Sequence, residues 1–213
     1  MFANRYHAVM PRRTKEDSEK TRQLILAAAR KEFAKRGVGR TSLDQIAKSA
    51  KVTRGAIYWH FKNKTDLFFA MRDQICLPLF DQLGDDQLPA DANPLDGIEA
   101  FLLEALRGLE EDPKIRQTCE IICTKCEYVD EFETVLDQMI ARCADLIGRL
   151  AKAYALAKKR GLLRTGADPE ALAHDTYLFF SGMIRLWVSD REGKVIRKRV
   201  KAMITAHVGL RRK

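Results

Sequence analysis

Wherever this chain is apolar, it is apolar at intervals of three and four residues, and each such stretch is bracketed by residues that start or stop a helix. From about Glu16 to Arg36, Ile25, Ala28, Ala29 and Phe33 recur between charges, and Gly37 is placed to end that helix in the left-handed conformation. Thr41 or Ser42 can cap a second helix, with Asp44 or Gln45 three residues on in a capping-box arrangement and Leu43, Ile46, Ala47 and Ala50 as its inner stripe. After a tight Ala50-Lys51-Val52 connection, Thr53 can cap a third helix over Arg54 to Phe61, and Asn63 a fourth that runs to about Leu83. A loop rich in Asp and Pro, Gly84 to Pro94, precedes helical segments at about 95–111, 114–126, 130–160, 169–188 and 194–210. Breakers at Asp112-Pro113, Gly161, Gly166 to Pro169 and Gly193 separate them. No stretch alternates with period two, so the fold class is all-α, with an N-terminal three-helix helix-turn-helix unit and a larger helical body.

Charge divides the chain in the same place. Residues 1–64 hold 16 Lys and Arg against 5 Asp and Glu, whereas residues 65–213 hold 22 against 24, so the whole basic excess is N-terminal. A concentrated positive field suits a polyanion, because neutralised phosphates release condensed counterions. The competing reading is a solvated basic face. The expected organisation is a flexible basic arm at 1–13, a basic helix-turn-helix unit at 14–64 and a larger helical body at 65–213. No apolar run approaches the length of a membrane span and MFANRYHAVMPRR lacks a secretory apolar region, so a soluble cytoplasmic protein with no membrane partner is expected. The five cysteines lie mostly inside helical segments, as free thiols would.

The third helix explains what the charge is for. Ala56, Ile57 and Phe61 can bury, while the opposite face offers Thr53, Arg54, Gly55, Tyr58, Trp59 and His60, a density of hydrogen-bonding and aromatic groups unusual for a solvated helix. An α-helix fits the major groove, where Arg54 can read guanine through O6 and N7 and Gly55 lets the backbone approach closely. Thr41, Ser42, Tyr58, His60 and Lys64 suit phosphate, which hydroxyls, imidazole and ammonium groups hold without reading sequence. A lysine at the start of a helix opposes the macrodipole, which a phosphate bound beside the Asn63 cap would offset; Asp66 could do the same.

These residues resemble the tetracycline-repressor (TetR) family of bacterial one-component regulators, and within it the AcrR/TtgR-like multidrug-efflux repressors. The resemblance rests on residues 12–68, where KRGVGRTSL, VTRGAIYWHFKNK and DLF are family-typical. It implies a homodimer that reads a palindromic operator and is released by a hydrophobic small molecule, with Arg54, Gly55, Tyr58, Trp59, His60 and Lys64 at the operator and Ser42 starting the supporting helix. The same likeness makes 14–64 the DNA-binding domain and 65–213 a ligand-binding and dimerisation domain, and implies control of a multidrug-efflux operon. The four histidines are scattered and no Gly-rich phosphate loop or nucleophile motif is present, so no catalytic residue, cofactor or metal is expected.

TCEIICTKCEYVDEF and FFSGMIRLW resemble efflux-repressor segments that line a drug pocket. Ile98, Phe101, Leu102 and Ala105 fall on one side of their helix, and Tyr177, Phe180, Ser181 and Arg185 on one side of theirs. Ile75, Leu146 and Leu150 are assigned to the same pocket, with core packing as the competing reading for each aliphatic position. Arg185, inside an apolar helix, must snorkel out, pair with an acid or face a polar cavity. Cys119, Cys123 and Cys126 stand at i, i+4 and i+7, which makes Cys119 and Cys123 pocket candidates and leaves a thiol or soft-metal sensor as an alternative. Their Cys-x3-Cys-x2-Cys spacing is also that of iron–sulfur radical enzymes, although those need a loop around the cluster. By the family pattern the last two helices form an intermolecular four-helix bundle through Leu172, Leu178, Leu186, Met203 and Val208.

Overall fold

A computed structural model describes residues 15–83, 92–127 and 133–213. The expected basic arm, most of the Asp- and Pro-rich loop and residues 130–132 lie outside these. Nine α-helices make up the described chain: α1 (Lys15–Arg36), α2 (Leu43–Ala50), α3 (Arg54–His60), α4 (Lys64–Phe80), α5 (Pro94–Glu111), α6 (Pro113–Thr124), α7 (Glu133–Lys159), α8 (Pro169–Ser189) and α9 (Val200–Gly209). The only extended pairing among the described residues is an isolated antiparallel bridge between Leu163 and Arg212.

The local signals that start these helices are formed. Ser42 accepts from the Gln45 amide while the Gln45 side chain accepts from the Ser42 N–H, so Gln45 rather than Asp44 closes the capping box. Thr53 and Asn63 cap α3 and α4 through the amides of Ala56 and Asp66. Lys51 ends α2 at φ 56, a left-handed position that allows the sharp return to Val52.

Two ends differ from expectation. Past Phe80, α4 continues only as a 3-10 turn, Asp81–Leu83. The last helix begins at Val200 rather than near 194, because the Asp190 carboxylate takes up the amides of residues 194–197 and holds that segment in turns.

The core falls into two clusters. One joins Ile25, Phe33, Ile46 and Ile57 of α1–α3, and Phe61 at the end of α3, to Leu67, Phe68 and Met71 of α4, and also takes Ile121 of α6 and Val135 of α7. The other begins at Phe80 and fills the space among α5, α7, α8 and α9. The N-terminal half of α4 thus belongs to the first core, and its C-terminal half adjoins the second. Side-chain and loop ties lock the junction. Buried Arg30 of α1 donates through Nε to Thr118 Oγ1 of α6 (2.9 Å) and through Nη2 to Gln74 Oε1 of α4 (3.0 Å). The Val38 amide donates to Lys125 O (2.9 Å).

A half-buried imidazole borders the second core. His207 of α9 stacks on Phe179 at 4.0 Å between centroids, and its Nε2 lies 3.0 Å from Thr176 Oγ1. Burial, aided by the Arg211 cation, pushes His207 down to about 4; Asp175, bonded to Arg211, opposes this only partly. The unfolded chain therefore takes up this proton first, and the stability that neutral His207 supplies is complete above about pH 6.5 and is lost as the pH falls towards 4. Between pH 7.5 and 5 the melting temperature of the native protein should fall further than that of His207→Gln; equal slopes would show that His207 titrates normally.

Candidate DNA interface and effector cavity

On the first unit, the exposed face of α3 carries the groups expected to meet DNA. Trp59 is 81% exposed and Tyr58 48%, while Ile57 behind them is fully buried. Arg54 is held ready: Nη1 lies 3.1 Å from Asp44 Oδ2 of α2, Nη2 donates to Tyr58 Oη at 3.2 Å, and the guanidinium leans over the Tyr58 ring. Both partners of the Arg54–Asp44 pair are more than half exposed, so exchanging Asp44 for a base edge costs little. Gly55 and Ser42 are exposed, as is the cap residue Thr53; His60 is half-buried.

Two expected phosphate contacts are corrected. Thr41 is 1% exposed, and its hydroxyl donates inward to Gly37 O (2.7 Å), closing the turn between α1 and α2. Lys64 is buried too. Its ammonium donates to Gly39 O (3.2 Å), tying the start of α4 to that turn, so a carbonyl serves where a phosphate was expected.

In the second unit, α4, α5, α6, α7 and α8 enclose a cavity of about 460 Å³. Eight expected positions line it: Ile75, Ala105, Cys119, Cys123, Tyr177, Phe180, Ser181 and Arg185. Gly108 lets α5 and α6 close one side, since a Cβ there would stand 2.9 Å from Ile115 Cδ1.

Ile98, Phe101, Leu102, Leu146 and Leu150 are a correction: all are buried in the core behind the wall. Phe101 packs at 5.1 Å against Phe180, which takes the lining position itself. Positions not foreseen include Arg72, Cys76 and Phe80 of α4, Glu104 of α5, and Met139, Arg142 and Cys143 of α7. For Arg72, the signal was present: it interrupts FFAMRDQIC as Arg185 interrupts FFSGMIRLW.

Arg185 resolves by facing the cavity and donating to Cys123 O (3.0 Å). The cysteine triad does not act as one group. Cys119 and Cys123 face the cavity with Cys76 and Cys143, whereas Cys126 packs on the other core. Among the described residues no His, Cys, Asp or Glu side chains are grouped to hold a metal ion. Burial pushes the Cys76 thiol up to about 11 and also raises Cys119 and Cys123, favouring the protonated thiol over the thiolate at pH 7. Tyr177 is raised by burial as well, so its phenol remains protonated, and it contacts Cys143.

On the outer face of α8, Leu178 and Leu186 are 68% and 51% exposed with Gly182 between them, and Met203 of α9 is 42% exposed. Leu172 is only partly exposed and packs on the core. Val208 is corrected: it is fully buried within its own chain and is spent on the core rather than on a partner. No helix among the described residues is long and apolar enough to cross a membrane.

Known proteins share this architecture. Residues 25–71 match bacterial regulatory proteins of the tetR family, and residues 93–211 match the C-terminal region of MAATS-type transcriptional repressors. The HTH-type transcriptional regulator TtgR of Pseudomonas putida is 36% identical over 179 residues, covering 84% of this chain and 85% of its own. The HTH-type transcriptional repressor BepR of Brucella suis is 31% identical over 182 residues, covering 85% and 87%. Among solved structures, NalD, the secondary repressor of the MexAB-OprM multidrug efflux pump in Pseudomonas aeruginosa, superposes with a TM-score of 0.81 at 32% identity, over 93% of this chain and 99% of that one. The SmeT–triclosan complex does so with a TM-score of 0.78 at 29% identity, over 88% and 90%.

Proposed function

Because the chain belongs to the TetR family of bacterial regulatory proteins, we propose that it is a cytoplasmic, homodimeric repressor of a multidrug-efflux operon, released from a palindromic operator by hydrophobic small molecules. The observation that carries this reading is the double membership of α4. Its first half is part of the reader core and its second half is a wall of the cavity. A ligand that fits the cavity best when α4 has moved will favour a reader spacing that no longer matches successive major grooves. Relatives bearing repressor names, and the triclosan complex of SmeT, support the same assignment.

The reader surface is Arg54, Gly55, Tyr58, Trp59 and His60, with Ser42 and Thr53 at the phosphates; Arg54 reads a base and the others position the helix. The two-fold partner is received on the stripe Leu178–Gly182–Leu186 of α8 with Met203 of α9, where the open glycine lets two helices approach closely.

Fluorescence anisotropy on DNA taken from upstream of the chain's own gene tests all of this. Tight, salt-sensitive, sequence-selective binding is expected, weakened at least about fivefold by triclosan or another efflux substrate. Arg54→Ala should cost about 1–3 kcal/mol on the operator and far less on random DNA, with an unchanged melting temperature. Equal losses on both DNAs would remove Arg54 from base reading. Affinity indifferent to every efflux substrate tried would remove the ligand-responsive half of the proposal.

A further inference from the structure

The cavity is apolar over most of its wall, through groups such as Ile75, Leu79, Phe80 and Ile122, yet three arginines and a single carboxylate also line it. The carboxylate does not offset the arginines. Glu104 is gripped by Arg107 through two bonds of 2.6 and 2.8 Å, and this pairing holds it below the usual carboxylate range. Of the three arginines, Arg185 donates to the Cys123 carbonyl and Arg142 is bonded to Asp73 Oδ2.

Arg72 is different. It is 6% exposed, and its Nη1 is buried without a hydrogen-bond partner; the nearest carboxylate oxygen, Asp73 Oδ1, stands at 3.7 Å, beyond hydrogen-bond reach. One Asp73 thus faces two guanidinium groups, leaving one positive charge on a side chain that lines the cavity, with an unused donor just behind the wall. A buried charged donor left unmade is costly in a folded protein, and an oxyanion is the group that satisfies it best.

From this we propose that the effector is an anionic amphiphile: an apolar body filling the cavity and one carboxylate, sulfonate or phenolate received by the Arg72 guanidinium. The proposal rests on the cavity being the effector site and specifies the chemistry of what enters. It also gives the ligand a direct grip on the switch. Arg72 follows Met71, the last α4 residue of the reader core, and is two residues from Gln74, which Arg30 ties to α1. An anion drawing Arg72 inward pulls α4 at the junction of the two cores.

Two fluorescent probes with the same skeleton separate charge from hydrophobicity: 1-anilinonaphthalene-8-sulfonate and the uncharged N-phenyl-1-naphthylamine. With the full-length protein at about 150 mM salt, the sulfonate is expected to bind at least about tenfold more tightly, one per protomer. Arg72→Met should erase that preference and leave the neutral probe within about twofold, whereas Arg72→Lys should keep part of it. Asp73→Asn, which removes the competing carboxylate, should move the sulfonate the other way, to tighter binding.

Equal affinity of the two probes for the native protein, or a sulfonate preference that survives Arg72→Met, overturns the proposal while leaving the cavity as an effector site. Exclusion of both probes overturns the effector-site reading together with it. Should Arg72→Met not fold, the native ratio and the direction of the Asp73→Asn change decide.

Discussion

Replacing Leu178 by glutamate is expected to leave a folded monomer that grips DNA about a hundredfold or more less tightly than the native protein. Leu178 is 68% exposed on the outer face of α8, so within one chain the new carboxylate meets water and the fold should hardly notice. Across a two-fold axis the outcome differs. The same substitution occurs twice in one interface, each copy loses a central apolar contact worth about 2 kcal/mol or more, and two carboxylates approach one another. Once the subunits part, the second half-site contact is no longer intramolecular, and the avidity of linked readers, about 10² to 10⁴, disappears. Light scattering at micromolar concentration and anisotropy on the operator read the two consequences separately. A dimer with native operator affinity would place the partner on another surface.

The second large effect is expected from Phe101→Ala, at about 3–5 kcal/mol of stability. Phe101 is 1% exposed and sits in a triangle of rings with Phe80 and Phe180, at 6.4 and 5.1 Å between centroids. Those two neighbours line the cavity, so Phe101 is the prop behind the wall. Truncating it removes a ring from packed surroundings that can relax only partly. The urea midpoint should fall by the corresponding amount, and the enlarged pocket should admit bulkier ligands than the native one accepts. A loss under about 1 kcal/mol would mean that the wall collapses into the gap.

What could be read from the residues alone follows from the range of the forces involved. Caps, turns and periodicity act over a few residues, so Ser42, Thr53 and Asn63 marked the starts of α2, α3 and α4, whereas the start of α9 depended on the Asp190 carboxylate several residues before it. The exposed face of α3 was legible because it departs from what an amphipathic helix requires. Burial that depends on distant elements was not. Thr41 looks like a cap, and only the return of the α1–α2 turn against Lys125 O turns its hydroxyl inward. Phe101 and Phe180 are alike as residues, and which of them meets empty space depends on how five helices lean together. Val208 was likewise indistinguishable from Leu178 until the packing of α9 was known.

The chain has two tryptophans, and the fold has placed one on each side of the α4 junction. Trp59 stands in water on the exposed face of α3, while Trp187 is 3% exposed in the second core, under the Arg197 guanidinium at 4.0 Å from the ring centroid. The protein therefore carries its own pair of optical reporters. Operator DNA should quench the red edge of its intrinsic emission and effector binding should disturb the blue edge, so one unlabelled sample can show in real time whether the cavity responds before the reader lets go.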